Sequence, residues 1–343
     1  MDHQQWSLRM GAAVIVCALM LRLAATGFFQ PVAEFFAKPN IAAFLIYLET
    51  GRIVRFSPSS EALPAFAYES AEPDFARQKE EAVPVQATEP PLPAFEAADA
   101  EKLQFKNSAG VKFDAAQLLT SPLRWNLMAQ EPAVLILHTH GSESYTKADG
   151  ETYQESAAFR TLDEAYNMIS VGDHLTDLLE AAGIAVLHDR QLHDYPSYNG
   201  SYSNARKQIK KVLKENPSVC LVLDLHRDAS ADINNQMRTK AVVDGQDSAQ
   251  LMFVVGTGSS GAKNDHWQEN LALALKLQVL LEEKTAGICR KVNLRGQRFN
   301  QDLLAGALLV EVGAAGNSRQ EALRAVEMLA QAIVDLAKGT QDN

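Results

Sequence analysis

Apolar residues fall along this chain in runs whose period changes from stretch to stretch. Residues 133–137, AVLIL, form a continuous aliphatic run that gives way to the polar HTHGSESY. That is the pattern of a strand buried on both faces of a parallel sheet and ending in a loop. Over residues 164–182, Ala165, Met168, Ile169, Val171, Leu175, Leu178 and Leu179 recur at helical spacing, and Gly183 stops them. The pattern then predicts a strand at 184–187, a basic amphipathic helix at 204–215 ended by Asn216-Pro217, and a strand at 219–225 that delivers His226. A hairpin at 238–245, a strand at 251–255, a largely buried helix at 270–284 and a buried strand at 307–312 follow. Ser318 and Glu321 form a capping box ahead of a last helix striped by Leu323, Val326, Leu329, Ile333 and Leu336. Strands alternating with helices predict an α/β fold, with a mostly parallel sheet flanked by helices on both faces.

The N-terminal third has a different character. Residues 10–29, MGAAVIVCALMLRLAATGFF, have the length of a bilayer-crossing helix interrupted only by Arg22. Arg9 favours a cytoplasmic N-terminus, which makes the chain a single-pass membrane protein with its remainder extracytoplasmic. The alternative is a signal peptide cleaved near Ala24 and Ala25. Residues 41–48 are apolar but too few to span, and read as an interfacial segment or one packed on the anchor. Residues 57–102 hold seven prolines, and ten acidic side chains against three basic ones. Such a stretch buries too little apolar surface to offset its chain entropy, so it reads as an extended, disordered tether. The organisation expected is a cytoplasmic stub and anchor over 1–30, a juxtamembrane segment over 31–56, a linker over 57–102 and one catalytic domain over 103–343.

Composition removes some classes of function. A formal charge of −10 speaks against nucleic-acid binding, which needs a basic face. Cys17, Cys220 and Cys289 have no spacing that suggests a disulfide framework or a zinc knuckle.

Three predicted strands end in ionisable residues: His140, His226 within DLHRD and Glu311 within LLVEVG. In open α/β sheets ligands sit outside the carboxyl ends of strands. Burying such groups unpaired costs several kcal/mol, so they call for a partner such as a metal. With Asp163 or Glu164 at the start of the first helix, two histidines and a carboxylate suit a catalytic zinc that keeps one position open, leaving Glu311 free as a base. Taken singly, each histidine also reads as a hydrogen-bonded and inert core residue. His138 is either an orienting partner of His140 or a satisfied strand histidine, while His174, His188, His193 and His266 read as surface or capping residues. Arg227 and Asp228 either contact substrate or pair with each other. Tyr195, Tyr198 and Tyr202 either line a glycan groove or anchor their loop. Ser142 and Ser144 lack the elbow motif that would present a nucleophile.

The segments HTHGSESY, DEAYNMISVGDHL, HDYPSYNGSYSNA, DLHRDA, FNQDLLAGALLVEVG and GNSRQEA resemble, in order, the signature blocks of the stage II sporulation protein P family. These are membrane-anchored cell-wall hydrolases of endospore-forming bacteria, similar to zinc-dependent N-acetylmuramoyl-L-alanine amidases. The resemblance implies zinc held by His140, Glu164 and His226, with Glu311 as catalytic base; Glu143, Glu155 and Asp163 are the competing carboxylates. It also implies peptidoglycan as substrate, cleaved between N-acetylmuramic acid and L-alanine during engulfment, with cross-link cleavage as a second activity. The partners implied are stage II sporulation proteins D and M. The rival readings are a wall-binding scaffold with a degenerate site and a different metal-dependent hydrolase, such as an amidohydrolase barrel.

Overall fold

The computed structural model describes residues 95–123 and 125–339. The expected anchor, the juxtamembrane segment and most of the tether lie outside them. Among the described residues no helix is long and apolar enough to cross a membrane.

Seven strands make the main sheet, in the order β1 (Phe105–Asn107), β10 (Val292–Arg295), β9 (Leu251–Gly256), β11 (Ala307–Ala314), β6 (Leu221–Asp228), β2 (Val134–Leu137), β5 (Val186–His188). Every neighbouring pair runs parallel except β11 and β9, which are antiparallel. The sheet is therefore two parallel blocks joined back to back. The amino ends of β1, β10 and β9 lie at the same end as the carboxyl ends of β11, β6 and β2, where His140, His226 and Glu311 fall. The hairpin is β7 (Ala241–Val243) with β8 (Gln246–Ser248), and β3 (Glu155–Ala157) pairs with β4 (Arg160–Thr161) beside the site.

Alternation along the strands sends side chains to two faces. On one face Val134, Ile136, Leu223, Phe253, Leu308 and Val310 join a large core with α2 (Met168–Ala181), α4 (Trp267–Lys284) and α5 (Arg319–Gly339). The other face is covered at the β2 and β6 end by α3 (Ser201–Glu215), through Ala205 and Ile209 against Leu135, Leu137 and Val222. Further along that face Met252, Val254 and Leu309 form a small separate cluster with Phe299. Each fully buried aliphatic side chain contributes about 1.5–3 kcal/mol, so the three-helix face supplies most of the stabilisation.

Several elements depart from the expectations. The first long helix starts at Met168 rather than at Glu164, because Asn167 adopts extended backbone and its side chain accepts from the Ile169 amide. β1 and β10 are strands that the periodicity did not predict; each is short and pairs along the rim of the sheet. Ala97–Lys102, inside the expected tether, is a 3-10 helix with a capping box between Glu96 and Asp99. The capping box at Ser318 and Glu321 forms as expected.

One buried charge stands out in the core. Lys276 on α4 is 3% exposed; its ammonium donates to the Leu119 carbonyl at the end of α1 (Ala115–Thr120) and lies 4.5 Å from the centre of the Phe95 ring. Burial pulls its pKa down to about 8. The unfolded chain binds this proton up to its ordinary value near 10.5. Between those limits the unfolded state holds more protons, so stability rises with pH across that window and the cost of the buried ammonium is fully present below it. Lys276→Met should raise the thermal midpoint at pH 7, by an amount corresponding to about 1–2 kcal/mol once the lost carbonyl hydrogen bond is counted. The advantage should shrink as pH approaches 10.5, which calorimetry across pH measures.

Candidate active site

β2 ends at Leu137, and the chain turns through His138, Thr139 and His140, with the Glu143 amide donating to the His140 carbonyl. The turn is fixed from below by Asp224 of β6. The Thr139 amide donates to Asp224 Oδ1 at 2.7 Å and its hydroxyl to Oδ2 at 2.6 Å. Asp224 and His226 are two residues apart on one strand, hence on one face, and His226 Nε2 lies 2.9 Å from Asp224 Oδ1 in an ion pair not aligned as a hydrogen bond. One carboxylate thus sets the place of both histidine-bearing segments.

The His140 and His226 rings lie edge to face, with centroids 5.3 Å apart. Tyr198 stacks on His140 at 4.5 Å, and Tyr202 meets it edge-on at 5.6 Å. Glu311 sits beside His226 in register on the neighbouring strand, so both side chains leave the same face of the sheet. Gly313, at φ +69, follows Glu311 where the register shifts; a side chain there would run into Ala249 and Asn317. The strand can therefore turn away immediately after delivering its carboxyl.

Four carboxylates were candidates at this point, and the structure separates them. Glu143 is buried, with Oε2 3.8 Å from His226 Nδ1 and accepting from the Arg227 amide at 3.2 Å. Its Oε1 takes Arg160 at 3.2 Å and Arg227 at 3.4 Å. Glu164 is not brought to the histidines: it is exposed and ion-paired to Arg190. The reason is the helix start, since Asn167 caps α2 and leaves Glu164 in the turn before it. Glu155 pairs with Lys147 at 3.3 Å, and Asp163 accepts from the Ala165 amide. Glu143 is the carboxylate that shares the site with His140 and His226.

The electrostatics follow from burial among like charges. Burial pulls the His140 imidazole down to about 4. Burial would do the same to His226, but Asp224, and then Glu143 and Glu311, overcome it and raise it to about 9. Burial pushes the Glu311 carboxyl up to about 8. Burial also opposes ionisation of Glu143, yet Arg227, His226, His140 and Arg160 together hold it below its usual range. Three carboxylates acting on one buried imidazole make a place where positive charge is stabilised. His140 Nδ1, His226 Nε2 and Glu311 Oε2 are buried without a hydrogen-bond partner among the described residues. His140, His226 and Glu143, two imidazoles and a carboxylate, are a zinc donor set in kind. Among the described residues no three such side chains yet converge into a metal cage.

Behind this cluster, His138 is fully buried, with Nδ1 3.2 Å from the Leu225 carbonyl and Nε2 2.9 Å from His188 Nε2. His188 in turn meets Asp173 at 3.1 Å. α2 passes closely enough here that only glycine fits at Gly172, where a Cβ would collide with both rings. His188 and His193 are therefore interior residues rather than surface ones, His193 holding Asp189 at 2.8 Å. Arg227 and Asp228 pair with Glu143 and Arg290 instead of with each other. Sequence reading passed over Asp224; its signal was the alternation Asp224-x-His226 in an otherwise apolar strand.

Fold and site together define an α/β protein with a histidine and carboxylate cluster at the carboxyl ends of its strands. The chain belongs to the stage II sporulation protein P family, whose model matches residues 56–334. It is 30% identical over 215 residues to the stage II sporulation protein P of Bacillus subtilis strain 168, covering 59% of this chain and 50% of that one. The chain thus spans about half the length of the curated relative it matches. Among solved structures it is similar to an N-acetylmuramoyl-L-alanine amidase from Clostridium difficile 630, with 15% identity, 63% of this chain and 99% of that one covered, and a TM-score of 0.38. The CwlD amidase of Clostridioides difficile, solved in complex with the GerS lipoprotein, is similar at 14% identity and a TM-score of 0.34, with 62% and 100% covered.

The two rival carboxylates make opposite predictions. Glu143→Gln should lower the thermal midpoint at pH 7, because it removes a buried charge that Arg227, His226, His140 and Arg160 together compensate. Glu164→Gln should change stability by less than about 1 kcal/mol, as expected for an exposed ion pair. Calorimetry on the two variants reads the difference.

Proposed function

We propose that this protein is a peptidoglycan hydrolase of sporulation that cleaves the amide between the lactyl group of N-acetylmuramic acid and L-alanine. The observation that carries the reading is Glu311: a buried carboxyl without a hydrogen-bond partner among the described residues, in register with His226 and pushed up to about 8. A structural carboxylate on an apolar strand would be paired or replaced, whereas a proton-transfer group works best with a pKa near the operating pH.

The metal this reading calls for is zinc, which His140, His226 and Glu143 would hold. Once bound it would supply Lewis-acid chemistry for hydrolysis of an amide. The chain's own residues do the rest. Asp224 fixes the His226 ring beside Glu143, as a carboxylate partner orients a ligating imidazole. Arg227 and Arg160 keep Glu143 ionised. Glu311 takes the proton of the attacking water and returns it to the leaving amine of L-alanine. Tyr198 and Tyr202, packed on His140, narrow the approach to the site.

Residues 10–29 anchor the chain in the membrane and the proline-rich segment lets the domain reach a wall at variable distance. Stage II sporulation proteins D and M are the partners that family membership points to, and cleavage of peptide cross-links is a second activity of the same site.

Glu311→Gln tests the assignment. It should lower kcat on purified muropeptides by about 10²–10⁴-fold while zinc content stays unchanged, since removing a general base has an effect of that size. Mass spectrometry of the products should show free L-alanine-terminated stem peptides with the wild-type chain. Undiminished release by the variant overturns the role of Glu311, and products cut only elsewhere overturn the bond.

A further inference from the structure

The second face of the sheet is covered by α3 only at the β2 and β6 end. Toward β1 a cavity of about 420 Å3 opens, lined by Gln104, Lys106, Gln250, Met252, Arg290 and Asn293, with Cys289 and Lys291 completing it. Three of these side chains are cations and none is an acid, on a chain whose formal charge is −10. Lys106 and Lys291 make no ion pair or side-chain hydrogen bond among the described residues. Asn293 contributes a buried Oδ1 that has no partner among the described residues.

The cavity borders the histidine and carboxylate cluster through Met252. Met252 is paired directly with Glu311 across the antiparallel junction, and Glu311 with His226, so the three side chains form one row on one face. Arg290 reaches the strand end that carries His226, donating to Asp228 at 2.8 Å. A ligand seated over the cations therefore lies on the same face as Glu311, with Met252 of β9 between them.

We infer that this cavity is the subsite for the acidic stem peptide of the substrate. Lys106 and Lys291 meet its carboxylates, and the amide side chains Gln104, Gln250 and Asn293 meet its backbone. This rests on the amide-hydrolase reading of the neighbouring cluster and adds to it which part of the substrate lies on which side of Glu311. The unsatisfied Asn293 acceptor suits a peptide, whose backbone brings N–H donors.

Binding without turnover tests it. The probes, titrated calorimetrically into the full-length chain at low and high salt, are the L-Ala-γ-D-Glu-diaminopimelate peptide, the same peptide with its carboxylates amidated, and a glycerol phosphate oligomer. The acidic peptide should bind the wild-type chain with an affinity that falls as salt rises, and about tenfold or more weaker to Lys106→Glu/Lys291→Glu. The amidated peptide should bind both chains weakly and alike. Equal binding of acidic and amidated peptides, no loss on charge reversal, or preference for the glycerol phosphate oligomer overturns the subsite. If charge reversal abolishes peptide binding while the wild-type chain cleaves no muramoyl amide, the subsite stands and the bond assignment falls. If muropeptides are cleaved with binding indifferent to the charge reversal, the subsite falls and the assignment stands.

Discussion

Asp224 is a buried carboxylate with no arginine or lysine paired to it among the described residues; its oxygens take the Thr139 amide and hydroxyl and stand against His226. Its charge is tolerable in the interior only because those contacts are made together, since an uncompensated buried charge costs several kcal/mol. Meeting that requirement joins the end of β2 to the middle of β6. The loop bearing His140 and the strand bearing His226 cannot move independently while it holds. The packing of these two segments and the charge balance of the cluster therefore depend on one side chain.

Around that joint the charges are arranged in layers. Arg160 and Arg227 lie outside Glu143, Glu143 faces His226, and Glu311 stands on the next strand. Asp194, which takes Ser142 and Arg160, holds the outer arginine in place. The buried histidine pair His138 and His188 supports the back of the cluster, where the glycine of α2 allows close approach. A low local dielectric strengthens each of these interactions and makes each missing partner expensive, so the arrangement is set as a whole.

The reversal of strand direction between β9 and β11 gives the site its width. In an all-parallel sheet the carboxyl ends of every strand would line one edge. Here the amino ends of β9, β10 and β1 continue the row beyond Glu311, and among the described residues Met252, Val254 and Leu309 pack on Phe299 rather than on a long helix. The active cluster thus sits at a switch point with open sheet on one side and α3 with its tyrosines on the other, which is where α/β proteins place ligands.

Much of this was legible in the sequence because it is local. The apolar runs of β2, β6, β9 and β11, the striped helices and the Ser318 and Glu321 capping box all follow from periodicity and hydrogen bonding within a few residues. So did the placing of His140, His226 and Glu311 at strand ends. The choice between Glu143 and Glu164 was not local: it turned on where Asn167 caps α2 and on which loop Arg160 and Arg227 draw inward, contacts that span up to 84 residues. β1 and β10 were invisible for the same reason, being too short to show a period and stable only as partners along a rim. The order of the strands, the antiparallel junction and the interior position of His188 depend on packing between distant segments. Sequence therefore marked the ionisable residues toward the carboxyl ends of apolar strands, and tertiary structure decided which of them meet, because charge and burial at a site are set by neighbours that the chain order does not reveal.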